Sequence, residues 1–163
     1  KHVTSIQAVN HPFAGFWMEK AYRIPKGKFP IVDRFISQET DANTPITEMV
    51  VNSVITGPRE GQVVHSGQPV EVKGIAWDNG AGIQTVEVSA DDGKTWQAAM
   101  LDQDMGRFSF RGFRHSFKAG AKGDVAILAR ATNRQGATQV SQLIFNPPGY
   151  HNNVVSRVNV RVG

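Results

Sequence analysis

From residue 49 onward, apolar side chains recur at every second position in short runs, and turn signals separate the runs. Met49-Val-Val-Asn-Ser-Val-Ile55 is the first, ended by Gly57-Pro58. Over residues 69–77, Val70, Val72, Gly74 and Ala76 alternate with Glu71 and Lys73, a period of two with one apolar face. Asp78-Asn-Gly-Ala-Gly82 then turns the chain, and residues 83–90 alternate again through Val86 and Val88. Asp91-Asp-Gly-Lys94 predicts a tight hairpin into a strand Thr95-Trp-Gln-Ala-Ala-Met100. Phe108 and Phe110, then Phe113 and Phe117, predict the next strand pair. Val125, Ile127, Ala129 and Ala131 follow, with Leu128 and Arg130 on the opposite face, and Val158, Val160 and Val162 close the series. Short strands with one buried face each, and no convincing helix, predict an all-β fold of two packed antiparallel sheets.

Residues 1–48 have a different texture. They combine prolines, a basic run (Lys20, Arg23, Lys26, Lys28) and the polar stretch Ser37-Gln-Glu-Thr-Asp-Ala-Asn-Thr44, with weak periodicity. This predicts an irregular extension with one or two short strands. A chain of 163 residues, 40% hydrophobic, can bury one full core with an appendage and hardly two independent ones. With 20% charged residues, 16 Gly and 8 Pro, the composition is that of a loop-rich globular protein.

Cysteine is absent, which excludes disulfides, thiolate nucleophiles and Cys-ligated metals within this chain. No apolar stretch approaches the roughly 20 residues of a membrane-spanning helix, so none is expected. The opening Lys-His-Val-Thr lacks an initiator Met and a signal-peptide pattern, and is expected to come from a processed, cleaved or truncated product. A net charge of +4 suits an anionic ligand or acidic partner and is too mild to call for nucleic acid.

Several local motifs reduce to structural roles. Ser89-Ala-Asp-Asp-Gly-Lys-Thr-Trp96 resembles the Asp-box turn of sialidase-type propellers. Propellers carry several copies and this chain one, so its expected role is a fold turn, with Asp accepting turn N–H bonds and Trp96 plugging the core. Gly93-Lys94-Thr95 lacks the glycine a phosphate loop needs at position 88, which is Val. Asp102-Gln-Asp-Met-Gly106 predicts a solvated turn, since the later acidic ligands of a calcium loop are missing. His2, His11, His65, His115 and His151 share no zinc-ligand spacing. The run from Arg107 to Phe117 interleaves aromatics with cations as single-strand binders do, but a half-buried edge strand requires the same pattern.

Taken in order, several segments resemble the C-terminal part of the sulfite oxidase family of molybdenum-cofactor enzymes. They are Lys1-His-Val-Thr-Ser-Ile6, Phe16-Trp17 with Ala21-Tyr22-Arg23, Asn52-Ser-Val-Ile-Thr-Gly-Pro-Arg-Glu-Gly61, Val72-Lys-Gly-Ile-Ala-Trp77 and Val86-Glu-Val-Ser-Ala-Asp-Asp-Gly-Lys-Thr-Trp96. Ala129-Arg-Ala-Thr-Asn133, Phe145-Asn146 and Arg157-Val-Asn-Val160 complete the collinear match. The resemblance implies an immunoglobulin-like antiparallel β-sandwich over residues 49–163, the family's dimerisation domain. Residues 1–48 would then be the tail of the molybdenum-cofactor catalytic domain and a linker.

The resemblance further implies a parent enzyme that oxidises sulfite to sulfate and passes electrons to a haem protein. The family's molybdenum thiolate is a Cys of the preceding domain; this chain has none, so it cannot ligate the metal alone. Lys1, with His2 beside it, matches the position of a family Lys that contacts the pterin. Where relatives carry an anion-binding Arg, this chain has Pro148, and Tyr22, His151 or Arg157 are candidate substitutes. That variant is more similar to bacterial periplasmic sulfite dehydrogenases, some of which are homodimers while others pair with a cytochrome c subunit carrying haem c. A periplasmic location follows as an expectation. Two rivals stand beside this reading: a free-standing immunoglobulin-like adhesion or binding module, and a sister molybdenum enzyme acting on another sulfur or nitrogen oxyanion or a carrier-bound sulfane.

Overall fold

The computed structural model describes residues 2–26, 41–143 and 148–163. The chain divides into two compact units, residues 1–47 with 144–150, and residues 48–143 with 151–163.

In the first unit, Trp17–Ala21 forms a single π-helical turn. Strands β1 (Arg23–Pro25) and β2 (Asn43–Pro45) pair antiparallel beside it. The Arg23 guanidinium ties these pieces together, donating to the carbonyls of Glu19 and, at 2.7 Å, Asn43. Among the described residues of this unit no hydrophobic side chain is buried, and backbone and guanidinium bonds link the pieces.

The second unit is the sandwich. Its strands are β3 (Asn52–Gly57), β4 (Val63–Val64), β5 (Pro69–Trp77), β6 (Ile83–Ser89), β7 (Gln97–Ala98), β8 (Met100–Leu101), β9 (Arg111–Lys118), β10 (Gly123–Asn133) and β11 (Ser156–Val162). One sheet has the order β3-β5-β9-β8 and the other β4-β11-β10-β6-β7, with β4 parallel to β11 and every other pair antiparallel. Four strands facing a sheet built on β6, β10 and β11 is the immunoglobulin-like arrangement. The period-two runs supply the core directly: Val70, Val72 and Ala76 from one sheet face Val86, Val88, Ile127, Ala129, Ala131, Val158 and Val160 from the other. Gly74 is required there, because a Cβ would lie 2.2 Å from the ring of its cross-strand partner Phe113 and 2.4 Å from the Val54 carbonyl oxygen.

Three expectations need correction. The predicted strand over residues 95–100 is broken: Gln97–Ala98 pairs with β6, whereas Met100–Leu101 pairs with β9 in the other sheet. Ala99, half-buried, is where the chain crosses between sheets. Phe108 and Phe110 are not strand residues either. Gly106 and Phe108 take positive φ, so the chain loops until Arg111 and leaves both rings exposed. Trp96 is absent from the core. It lies on the outer face of the five-stranded sheet, 4.3 Å beneath the Arg130 guanidinium, and its indole N–H donates to the Gly93 carbonyl. A carbonyl of the turn is the partner the indole N–H needs, and the core offers none.

Candidate functional site

The residues singled out from the sequence do not converge. Lys1 lies outside the described residues, as do Lys28 of the basic run and Phe145-Asn146. His2 is exposed. Tyr22 ends the π-helical turn through its backbone N–H to the Trp17 carbonyl, and its ring stacks on Trp17 with centroids 5.7 Å apart. Tyr150 meets Tyr22 edge-on at 6.1 Å and Phe16 meets Trp17 edge-on at 5.3 Å, so four rings form one ladder. Phe16 and Trp17 remain mostly exposed.

In the second unit, His151 has a positive φ of 53° and donates from Nε2 to the Glu48 carbonyl at 3.1 Å. Arg157 projects from β11 and pairs with Asp92 at 2.5 Å. Both side chains therefore have protein partners already. Pro148 is exposed.

The hairpin after β6 acts as a structural turn. Ser89 Oγ donates to Asp91 Oδ1 at 2.7 Å and accepts from the Gly93 N–H at 2.8 Å. Asp91 accepts the Thr95 N–H at 2.9 Å and the Thr95 hydroxyl at 2.6 Å. These bonds, the Thr95 hydroxyl foremost, hold the Asp91 carboxyl down to about 2.

Cavities lined by described residues open on the sandwich unit, and two bear on the argument. The first, about 520 Å3, has Gly74, Ile75, Gly112 and Phe113 of β5 and β9 for its floor and Met105, Phe110, Lys73 and Arg114 around it. The second, about 240 Å3, lies between the turn after β5 and the loop before β9. There Asp78 Oδ1 accepts the N–H groups of Gly80 and Gly82 at 3.0 and 3.1 Å, while Asp78 Oδ2 is buried with no protein partner. Asp104 pairs with Arg134 at 2.8 Å, and the Gly106 N–H holds its carboxyl below the usual range. Neither lining sets a nucleophile beside a base, as covalent catalysis requires.

The second cavity escaped sequence reasoning. Asp78-Asn-Gly-Ala-Gly82 and Asp102-Gln-Asp-Met-Gly106 read as separate turns, and nothing in their spacing says that they face each other. A second hidden feature is the buried Gln139. Its Oε1 accepts from Ser53 Oγ at 2.7 Å and Ala131 N–H at 2.9 Å, and its Nε2 donates to Asn52 Oδ1 and the Val154 carbonyl at 2.9 and 3.0 Å.

A molybdenum site is not built from this donor set. The sequence has no Cys, and among the described residues no three His, Asp or Glu side chains come together to hold a metal ion.

Comparison with known proteins places these observations. The mitochondrial sulfite oxidase of Homo sapiens is 42% identical over 87 residues, 53% of this chain and 15% of that protein. The sulfite oxidase of Arabidopsis thaliana is 31% identical over 108 residues, 66% of this chain and 26% of that protein. The chain thus spans a minor part of the length of these relatives. Among solved structures, the sulfane dehydrogenase SoxCD from Paracoccus pantotrophus aligns with a TM-score of 0.54 at 26% identity, covering 71% of this chain and 33% of that one. The profile of the Mo-co oxidoreductase dimerisation domain matches residues 43–163, the sandwich with the strand that precedes it, and the chain belongs to that family.

Proposed function

We propose that this chain is part of a molybdenum-cofactor oxidoreductase that oxidises sulfite to sulfate, and that its sandwich serves assembly, joining two copies. The observation that carries this reading is the family match over residues 43–163 together with 42% identity to a sulfite oxidase. The molybdenum cofactor is held mainly by another domain of the protein, with Lys1 and His2 of this chain as contacts at the pterin edge. Tyr22, His151 and Arg157 remain the candidates for anion contact in place of the family Arg. Electrons pass to a c-type haem, and the enzyme works in the periplasm; both rest on the resemblance to bacterial sulfite dehydrogenases.

The test is sulfite-dependent reduction of cytochrome c by the intact protein that carries this chain. Turnover with sulfite supports the reading, and none with cytochrome c or an artificial acceptor contradicts it. A second reading, a dehydrogenase acting on a sulfane group, is favoured by the likeness to sulfane dehydrogenase SoxCD. Activity with a sulfane substrate and none with sulfite would select it.

A further inference from the structure

The turn that follows β5, Asp78-Asn-Gly-Ala-Gly82, contains the one Asn-Gly pair in the sequence, Asn79-Gly80. Gly80 takes a φ of +98°, and a Cβ there would lie 2.6 Å from the Phe108 ring and 2.9 Å from Arg107 Nε. The fold therefore demands glycine at 80, and the backbone nitrogen of a glycine is the one least shielded by its own residue. Immediately before it stands Asn79, whose side-chain Oδ1 is buried with no hydrogen-bond partner. No bond secures this carbonyl by its oxygen, and the unpaired state is itself costly.

Asp78 completes the arrangement. It is 4% exposed, and its Oδ1 accepts the Gly80 N–H at 3.0 Å, within the reach required of a general base. Geometry decides whether that bond hinders or helps an attack by the Gly80 nitrogen. The N–H lies in the plane of the peptide and points at Asp78, whereas the electron pair that attacks a carbonyl carbon is the nitrogen's π pair, perpendicular to that plane. The hydrogen bond leaves the attacking pair free and sets a proton acceptor where the proton must go.

We propose that Asn79-Gly80 is a self-modification site, at which Asp78 acts as general base in the conversion of Asn79 to aspartate and isoaspartate. The Gly80 nitrogen bonds to Asn79 Cγ, and its proton passes to Asp78 Oδ1. The bond from Cγ to Nδ2 then breaks, a proton returns from Asp78 to Nδ2, and ammonia departs from a succinimide. Water opens that ring at either carbonyl, giving aspartate or isoaspartate, with nothing oxidised or reduced.

Both products bear on the 240 Å3 cavity that Asp78 and Gly80 line. Each puts a second carboxylate beside the buried Asp78, where like charges are disfavoured, and isoaspartate also lengthens the backbone inside the turn. Two ties hold this turn in place: the close approach of Arg107 and Phe108 to Gly80, and a 2.9 Å bond from the Arg134 N–H to the Gly82 carbonyl. Conversion therefore loosens the wall of the cavity as the protein ages.

The experiment is peptide mapping by mass spectrometry of the intact protein that carries this chain, aged at neutral pH in native buffer and, in parallel, unfolded in urea. Conversion is read as a peptide about 1 Da heavier, and isoaspartate by enzymatic methylation of its carboxylate. The expected result is conversion at Asn79 that runs roughly tenfold or more faster in the folded protein than in the unfolded one, the contribution of a positioned base. Asp78→Asn, checked by its thermal melt, should bring the folded rate down to the unfolded one or below, and Asn79→Gln should remove the modified peptide. Conversion that is slower folded than unfolded overturns the proposal, and so does a folded Asp78→Asn variant that converts at the wild-type rate. If Asp78→Asn does not fold, the comparison of folded with unfolded wild type decides alone.

Discussion

The hydroxyl of Ser53 and the side-chain oxygen of Gln139 meet 2.7 Å apart in the buried centre of the sandwich unit, joining the first strand of one sheet to the segment that follows β10 in the other. The bond completes a set. Each of the four hydrogen-bonding positions of the Gln139 amide is used, and the partners are two backbone groups and two side chains from β3, β10 and the approach to β11. A buried amide satisfied in this way fixes the path of the chain at both ends of the long connection between β10 and β11.

Replacing Gln139 by Leu keeps the bulk and strands its partners. Unpaired buried groups cost about 1–3 kcal/mol each, partly relieved by relaxation, so urea unfolding should show a loss of roughly 2–4 kcal/mol. Ser53→Ala should cost about 1 kcal/mol, and the double variant less than the sum of the two. Additive losses would mean that the two side chains are not coupled.

Gly74→Ala forces a methyl group against the Phe113 ring and the Val54 carbonyl oxygen. Overpacking of this kind costs roughly 1–3 kcal/mol. Trimming the ring with Phe113→Leu in the same protein should not restore stability, because the contact with backbone remains. Full recovery would show that the ring alone dictates glycine.

Asp91 sets an acid limit. Its carboxyl titrates at about 2 in the folded chain against an ordinary 3.8, held down by the Thr95 hydroxyl first and then the Thr95 N–H and Ser89. A folded-state value below the unfolded one adds stability that is fully present above the unfolded pKa, near pH 4, and is lost as pH falls towards 2. The stability gap between wild type and Asp91→Asn should therefore narrow across that window. A gap that stays constant from neutral pH down to about pH 2 would show that these bonds do not favour the ionised form.

Arg130 covers Trp96 and pairs with Glu87, both half-exposed contacts. Arg130→Ala should cost about 0.5–1 kcal/mol and shift indole emission to the red as the ring gains water. Unchanged emission would place Trp96 elsewhere.

Much of the sandwich was legible because burial on one face of a strand writes period two into the chain. β5, β6, β10 and β11 all carry that signature, and most of their buried positions are the alternating valines, isoleucine and alanines read from the sequence, while Leu128, placed on the opposite face, is buried too. Three things were not legible. The switch between sheets at Ala99 changes the pairing partner from β6 to β9 without interrupting a run of strand-forming residues. Phe108 and Phe110 alternate as strand residues do, yet positive φ at Gly106 and Phe108 puts them in a loop. Gln139 and Ser53 are 86 residues apart, and no local pattern announces a bond across that distance. The candidate site residues came from resemblance, which gives positions in a family and no geometry. Tyr22 accordingly lies in an aromatic ladder, His151 and Arg157 have protein partners, and Lys1 lies outside the described residues.

The central claim is that this chain belongs to a molybdenum enzyme without itself supplying the metal's ligands. Its most direct test is the molybdenum content of two proteins, the intact protein that carries this chain and the 163-residue chain alone, produced under the same molybdenum-replete conditions. Close to one molybdenum per polypeptide is expected in the first and none in the second. An intact protein free of molybdenum, or a 163-residue chain that retains it, would contradict the account.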